Sequence, residues 1–259
     1  MNNTDQAERR FQVDSLSVGV FADQDAMANA AAVEVGQYLA DRLAKKEIVR
    51  VILATGNSQI LFLSKLIERG GLDWGRIELF HMDEYLGLSA DHSASFRRYM
   101  RERVESVVNP KTFHYLEGDA LEPLDECERY SGLLRAGEID LCCLGVGENG
   151  HIAFNDPPVA DFEDPHWVKI VKLDNACKVQ QVGEGHFPSL ESVPSYALTL
   201  TIPALCSAGK MVCLSPETRK SQAIKDALQN PVSTNCPASF LRTQAQAGLY
   251  LDRDSSSLL

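Results

Sequence analysis

The feature that most constrains the fold of this chain is a series of short runs in which residues on both faces of a predicted strand are apolar. Strands of this kind bury both faces, which is typical of a parallel sheet covered by helices on each side. The runs lie at 16–22, 49–54, 77–81, 139–146, 168–173, 197–202, 211–214 and 248–251. We therefore predict an α/β fold with a single doubly wound, mostly parallel sheet and helices on both faces.

Helical patterns lie between several of these runs, at 25–45, 59–69, 93–105 and 218–229. Gly70 and Gly71 should end the second helix, and Pro231 the fourth. No linker or repeat divides the 259 residues, so we predict one α/β domain over 13–259 after a disordered tail at 1–12. The proline- and glycine-punctuated segment 156–194 predicts a lid over a site, with an inert surface loop as the alternative.

The composition excludes several classes of partner. A formal net charge of −11 repels a phosphate backbone, and no cluster of lysine and arginine offers a nucleic-acid footprint. The apolar runs are shorter than the ~20 residues that span a bilayer, and residues 1–10 do not resemble a secretory signal. Seven cysteines without a CxxC pair favour reduced thiols over disulfides or a zinc site. We expect a cytoplasmic protein with no nucleic-acid or membrane partner; the sequence leaves open whether it forms a homo-oligomer.

A short polar turn follows the run 49–54 and precedes a predicted helix. It contains Thr55, Gly56, Asn57 and Ser58. Backbone N–H groups and a hydroxyl converge in such a turn at a helix N-terminus, where an anion such as phosphate can bind. Capping of the helix by Asn57 or Ser58 explains the same residues equally well.

Two lysines are candidates for the positive charge that a phosphate dianion needs in this acidic chain. Lys178 falls in the predicted lid, and Lys220 lies near the start of the fourth predicted helix. Lysines are commonly solvated, so each alone indicates little. Together with the polar turn, they predict an anion site.

Two adjacent carboxylates, Asp83 and Glu84, follow the run 77–81 at its carboxyl end. Ligands bind at this edge in open α/β sheets. One carboxylate can act there as a general base while structural partners hold the other. A solvated acidic turn is the alternative.

The densest motif follows the run 139–146 and has the glycine spacing G-x-G-x-x-G. In a dinucleotide-binding fold a helix opens at the end of this motif, but the prolines at 157 and 158 forbid a long helix here. We infer that the glycines let the backbone approach a small ligand while His151 projects into a cleft beside Asn149 and Asp156. A structural histidine is the alternative.

From about residue 48 to its C-terminus the sequence resembles the glucosamine-6-phosphate deaminase/isomerase family, which is similar in fold to the 6-phosphogluconolactonases. The segments MDEYLGL at 82–88 and GHIAFN at 150–155 carry the resemblance. It implies a Rossmann-like fold of the sugar-phosphate isomerase type. It also implies conversion of glucosamine 6-phosphate and water to fructose 6-phosphate and ammonia, with no cofactor and no metal.

The resemblance implies roles for individual residues. Asp83 matches the base that moves a proton between C2 and C1 of the opened sugar, and His151 matches the histidine that assists ring opening. Asn149 and Asp156 stand where the family commonly has an acidic residue and a glutamate that complete the ring-opening relay. The residues expected to bind substrate are Thr55, Gly56, Asn57, Ser58, Glu84, Gly150, Lys178 and Lys220.

The departures from the family pattern leave alternatives open. The family more often has arginine at the position of Lys178, and Asn149 can orient an imidazole but cannot stabilise imidazolium as a carboxylate does. The rate or the sugar, gluco or galacto, could therefore differ. The rivals are a 6-phosphogluconolactonase-type hydrolase, a non-catalytic sugar-phosphate sensor and a nicotinamide-dependent dehydrogenase; Tyr85, where lactonases carry arginine, argues against the first.

Overall fold

A computed structural model describes residues 7–259 of the chain. The strands are β1 (Arg9–Val13), β2 (Leu16–Phe21), β3 (Val49–Leu53), β4 (Ile77–His81), β5 (Asp83–Tyr85), β6 (Thr112–His114), β7 (Leu141–Leu144), β8 (Val168–Lys172), β9 (Tyr196–Leu200), β10 (Lys210–Ser215) and β11 (Ala247–Asp252). The α-helices are α1 (Gln24–Leu43), α2 (Asn57–Glu68), α3 (Phe96–Met100), α4 (Ser106–Val108), α5 (Pro123–Arg135), α6 (Asn175–Gly183), α7 (Ile202–Cys206) and α8 (Ser221–Gln229).

The centre of the fold is an eight-stranded sheet in the order β1-β2-β11-β10-β7-β3-β4-β6. Its neighbouring strands run parallel except for β1, which is antiparallel to β2. One face packs against Met27 of α1 and Phe62 of α2, and the other packs against Tyr130 of α5 and Ile224 of α8. The predicted doubly wound, mostly parallel sheet with helices on both faces is confirmed.

The N-terminal segment differs from the expectation of a disordered tail at 1–12. Residues 1–6 lie outside the described part of the chain, but Arg9–Val13 form β1, with Phe11 opposite Val18 of β2. The expectation is therefore wrong for the residues of this strand. Its alternating exposed and half-buried side chains give a weak hydrophobic signal, which is typical of an edge strand.

A second, smaller sheet was not predicted. Strands β5, β9 and β8 pair antiparallel in that order, with Asp83 opposite Thr199. Tyr85, Phe96, Phe154 and Phe187 form a separate aromatic cluster associated with this sheet. The runs 168–173 and 197–202 were correctly predicted as strands, but pairing partners cannot be inferred from an apolar run alone.

Local signals account for several helix ends. Asp23 caps α1 by accepting a hydrogen bond from the Ala26 N–H at 2.8 Å. Helix α2 ends at Glu68, and Gly70 follows with φ of +63°, a conformation that favours glycine. Helix α8 ends at Gln229, before Pro231. The predicted helix 93–105 begins later, at Phe96, where Ser95 caps it.

The segment 156–194, predicted to be a lid, contains β8 and α6. Helix α6 was not predicted from the sequence. Its role as a lid stays a prediction. Within residues 7–259, no helix combines the length and hydropathy needed to cross a bilayer.

Candidate active site

The loops that follow β3, β4, β7 and β10 meet at one edge of the main sheet. Because these strands are parallel, their carboxyl ends share that edge, where α/β sheets bind ligands. The loops and α6 enclose a cleft of about 690 Å³ including its open mouth. Its lining includes seven predicted site residues: Thr55, Gly56, Asn57, Ser58, Asp83, His151 and Lys220.

The turn after β3 presents a helix N-terminus to the cleft. Gly56 is the N-cap of α2, with φ of +96°, and it has no side chain to bond the first N–H groups of the helix. Capping by Asn57 or Ser58 is therefore not what this turn does, because both residues lie inside the helix. The uncapped N–H groups and the Ser58 hydroxyl at this edge of the cleft favour an anion.

Asp83 has the properties of a general base that is largely buried at the wall of the cleft. Its side chain lines the cleft while the residue is only 6% exposed, and Oδ1 accepts no hydrogen bond from the described residues. Burial, followed by the nearby Glu84 charge, raises the pKa of Asp83 well above its ordinary value. A raised pKa makes the carboxylate a stronger proton acceptor, which suits abstraction of a proton from carbon.

Glu84 does not line the cleft, which corrects its predicted role in substrate binding. Its carboxylate accepts hydrogen bonds from Ser95 Oγ at 2.8 Å and from the backbone N–H groups of Phe96 and Arg97 at 3.2 and 2.9 Å. These contacts hold the start of α3. Successive residues of a strand such as β5 face opposite ways. Asp83 therefore faces the cleft, whereas Glu84 faces away from it and holds α3.

The loop after β7 holds His151 by close backbone packing. The Gly147 N–H donates to the His151 carbonyl at 2.9 Å, and the Gly150 N–H donates to the Gly147 carbonyl at 3.0 Å. A Cβ on Gly147 would lie 2.2 Å from the imidazole ring of His151. The motif therefore needs glycine at 147 so that the ring can lie against the backbone.

Asn149 and Asp156 lie behind His151 and do not line the cleft. Asp156 is fully buried, and its Oδ1 lies 2.9 Å from His151 Nδ1, although an N–H at Nδ1 would not point at that oxygen. The Asn149 amide donates to the same Oδ1 at 3.0 Å, while its carbonyl accepts from the His151 backbone N–H at 3.1 Å. Both residues therefore position the histidine.

The Asp156 carboxylate is kept ionised by its neighbours. Burial alone would raise the pKa of Asp156, but contacts with His151, Asn149 and the Asp174 backbone N–H lower it below its ordinary value. Asn149 thus supplies a donor to a carboxylate instead of a second negative charge.

The loop after β10 brings positive charge to the cleft. Lys220 is only 5% exposed, and its ammonium forms no hydrogen bond or ion pair with the described residues. Burial lowers the pKa of Lys220, partly offset by Glu184. An unpaired buried ammonium is costly, so this group favours an anionic ligand.

Sequence reasoning missed several lining residues, most of which come from α6 and the turn beyond it. They are Gln180, Gln181, Glu184, His186, Glu217 and Arg219. Arg219 Nη1 lies 2.9 Å from a carboxylate oxygen of Glu184, and His186 Nε2 lies 3.3 Å from the other. Burial would raise the pKa of Glu184, but His186, Lys220 and Arg219 lower it to about 2. The sequence offers one signal for these residues: Arg219 is adjacent to Lys220, a predicted binding residue.

Two further predicted binding residues lie outside the cleft lining. Lys178 Nζ lies 3.4 Å from Ser195 Oγ, so it contributes no contact to the cleft in this conformation. Gly150 has φ of +83°, and a Cβ there would lie 2.7 Å from Cys236 Sγ. Gly150 therefore serves the turn before His151 and does not face a ligand.

Comparison with known proteins assigns the family. The family model of glucosamine-6-phosphate isomerases/6-phosphogluconolactonase matches residues 22–250. The chain belongs to this family. Within it, the chain is 34% identical over 224 residues to a glucosamine-6-phosphate deaminase of Exiguobacterium sibiricum, covering 84% of this chain and 86% of the relative. It is 33% identical to the enzyme of that name from Listeria innocua, covering 82% and 88%.

Solved structures place the chain in the same family fold. A monomeric glucosamine-6-phosphate deaminase is similar with a TM-score of 0.86 at 28% identity, covering 93% of this chain and 99% of that one. A 6-phosphogluconolactonase of Thermotoga maritima is similar with a TM-score of 0.75 at 21% identity, covering 92% and 99%. The second likeness extends to the fold alone.

Proposed function

We propose that this chain is a glucosamine-6-phosphate deaminase that converts glucosamine 6-phosphate and water to fructose 6-phosphate and ammonia. One observation carries the proposal: the cleft combines the buried Asp83 carboxylate, whose Oδ1 has no hydrogen-bond partner among residues 7–259, with His151 and an anion-binding corner. The relatives with this name support the same conclusion, since they match over most of the chain.

The 6-phosphate binds at the corner formed by the turn after β3 and the loop after β10. The N-terminal N–H groups of α2 and the Lys220 ammonium provide donors and positive charge there. Arg219 adds a guanidinium, which its ion pairs with Glu148, Glu184 and Glu217 hold in place. Phosphate binding fixes the sugar, so that the remaining groups act on its C1–C2 end.

Ring opening is the first chemical step. His151 takes the proton of the O1 hydroxyl and returns a proton to the ring oxygen, so the C1–O5 bond breaks and C1 becomes an aldehyde. Asp156 and Asn149 position the imidazole for this transfer through the contacts described above. An ionised Asp156 also stabilises the imidazolium that forms transiently, as a carboxylate does in other histidine relays.

Isomerisation and loss of ammonia follow. Asp83 removes the proton from C2 while the carbonyl oxygen O1 takes up a proton from solvent, which gives an enolamine between C1 and C2. Protonation at C1 gives an iminium at C2; water adds there, and the carbinolamine loses ammonia to leave the ketone. The carbonyl and amine of the substrate supply the electron sink, so this sequence requires no nucleotide or metal cofactor.

The direct test measures both products from purified protein and glucosamine 6-phosphate. We expect ammonia and fructose 6-phosphate in equal amounts, with a much lower rate for glucosamine, which lacks the phosphate. Hydrolysis of 6-phosphogluconolactone in place of deamination would support the hydrolase alternative. Saturable binding of the amino-sugar phosphate without turnover would support a sensor. The specific argument for a sensor is that Asn149 stands where the family commonly has an acidic residue.

We also propose that the protein works in a reducing compartment such as the cytoplasm. All seven cysteines are free, and five of them are buried. Burial raises the pKa of the Cys143 and Cys213 thiols, so these groups stay protonated and unreactive. Cell fractionation with a specific antibody tests the location.

A further inference from the structure

Three potential metal ligands from two segments meet behind the cleft. One ring nitrogen of His151, one carboxylate oxygen of Asp156 and Cys177 Sγ all lie within 4.8 Å of one another, and all three residues are buried. His151 and Asp156 come from the loop after β7, whereas Cys177 lies in the first turns of α6. Nothing in the proposed reaction uses the Cys177 thiol.

The spacing suits a tetrahedral cation. Zinc binds sulfur at about 2.3 Å and nitrogen or oxygen at about 2.0–2.2 Å, so its ligand atoms lie roughly 3.4–3.7 Å apart. His151 Nδ1 and Asp156 Oδ1 are 2.9 Å apart, and the ligand atoms that His151, Asp156 and Cys177 offer lie within 4.8 Å of one another. Shifts of about 1 Å would bring the three atoms into coordination, with the fourth position left to water.

Two further observations point to a cation at this place. His151 is about nine-tenths buried, yet Nδ1 has no aligned hydrogen-bond partner among the described residues, because its N–H direction misses the nearby Asp156 oxygen. The surroundings are also negative: the Asp174 carboxylate lies 3.5 Å from the Asn149 amide that donates to Asp156, and Asp83 lines the same cleft as His151. A divalent cation would neutralise part of this charge.

We propose that His151, Asp156 and Cys177 bind one Zn²⁺ ion and that this ion inhibits the enzyme. Imidazole, carboxylate and thiolate together favour zinc over magnesium or calcium, which prefer oxygen ligands. Zn²⁺ binds the imidazole tautomer that carries its proton on Nε2, so Nδ1 is free to coordinate; binding releases the thiol proton to solvent and forms the Zn–N, Zn–O and Zn–S bonds. The ion would occupy Nδ1 of the ring-opening histidine and join α6 to the loop after β7, so turnover would fall.

Direct binding tests the site without substrate. The full chain, stripped of metal with a chelator, is titrated with Zn²⁺ in competition with a chromogenic chelator, and with Co²⁺ to detect thiolate-to-metal charge transfer. We expect one equivalent of Zn²⁺ and a charge-transfer band. Cys177→Ser should abolish the band and weaken Zn²⁺ binding at least about tenfold, and Cys177→Ala should do the same.

The matched control is Cys236→Ser, because Cys236 is a partly exposed thiol close to Gly150 that would capture zinc adventitiously. It should keep both the band and the affinity. Thermal melting of each variant establishes that it is folded. Equal binding by wild type and both Cys177 variants, loss of binding only in Cys236→Ser, or absence of one-equivalent binding would overturn the site.

Inhibition is measured second, and this part alone rests on the proposed function. Ammonia release is assayed at buffered free Zn²⁺ and normalised to the metal-free rate of each variant. We expect the concentration for half-inhibition to rise at least about tenfold in Cys177→Ser but not in Cys236→Ser. Zinc bound at Cys177 without any inhibition would overturn the inhibitory role, whereas failure of the proposed function would appear as no deamination even without metal.

Discussion

Replacing Asp83 by asparagine separates the chemistry of the cleft from its stability. Asparagine has nearly the same shape as aspartate but cannot accept the C2 proton. A positioned general base contributes about 10²- to 10⁴-fold to a rate, which corresponds to roughly 2.7–5.5 kcal/mol of the barrier. We expect Asp83→Asn to lower kcat by that factor with little change in phosphate binding, as measured by ammonia release and by titration with substrate.

The same substitution should stabilise the fold at neutral pH. The pKa of Asp83 is raised well above its ordinary value by burial and by Glu84. The stability that the protonated group contributes is complete below the unfolded pKa and is lost as pH rises through the folded pKa. Each pKa unit between the two states is worth about 1.4 kcal/mol. Asp83→Asn, which never ionises, should therefore melt above wild type at pH 7 and approach it as pH falls.

Two matched variants serve as controls for Asp83→Asn. Asp73→Asn changes an exposed carboxylate and should leave both the rate and the melting temperature unchanged. Glu84→Gln should lower the melting temperature, because one amide oxygen cannot replace a carboxylate that accepts from Ser95, Phe96 and Arg97. An Asp83→Asn variant with near-normal kcat, or one less stable than wild type at pH 7, would refute the reasoning.

Three further substitutions test other parts of the site. Lys220→Met should raise KM for glucosamine 6-phosphate about 10- to 100-fold, the effect of losing a charge-assisted hydrogen bond of roughly 1.5–3 kcal/mol. The control Lys178→Met should change KM less than about threefold. Equal effects of the two substitutions on KM in steady-state kinetics would contradict this prediction. Gly147→Ala should lower kcat sharply, because its Cβ would lie 2.2 Å from the imidazole ring, while Gly132→Ala, which meets nothing within 4 Å, should leave kcat unchanged. Asn149→Asp should lower kcat at neutral pH, because it would replace the 3.0 Å donor to the buried carboxylate with a like charge; an unchanged or faster rate across a pH series would show that this hydrogen bond is not needed.

The main sheet and its active edge could be predicted because their signals are local. Runs such as 139–146 are apolar on both faces, and several of them in one chain indicate a buried, mostly parallel sheet. Once the strands are parallel, the residues after β3, β4, β7 and β10 must meet at one edge. This is why the order of residues predicts that Asp83 and the loop of His151 lie at the ligand-binding edge, whereas Lys220 is predicted from its charge and from the family resemblance.

The rest depends on pairing and orientation that a sequence does not display. The small sheet of β5, β8 and β9 could not be distinguished from the main sheet, because an apolar run does not name its partner. Glu84 and Asp83 are adjacent and chemically alike, and only the contact of Glu84 with Ser95 and α3 separates them. Arg219 was missed because its approach to Glu184 requires knowledge of where α6 lies.

The central claim is that a single carboxylate, Asp83, moves a proton between C2 and C1 on one face of the opened sugar. The direct measurement is turnover of glucosamine 6-phosphate in D₂O, with the position of deuterium in fructose 6-phosphate read by NMR. The account predicts that any deuterium introduced at C1 occupies only one of the two diastereotopic positions. Deuterium divided equally between both positions, or no enzyme-dependent fructose 6-phosphate, would contradict it.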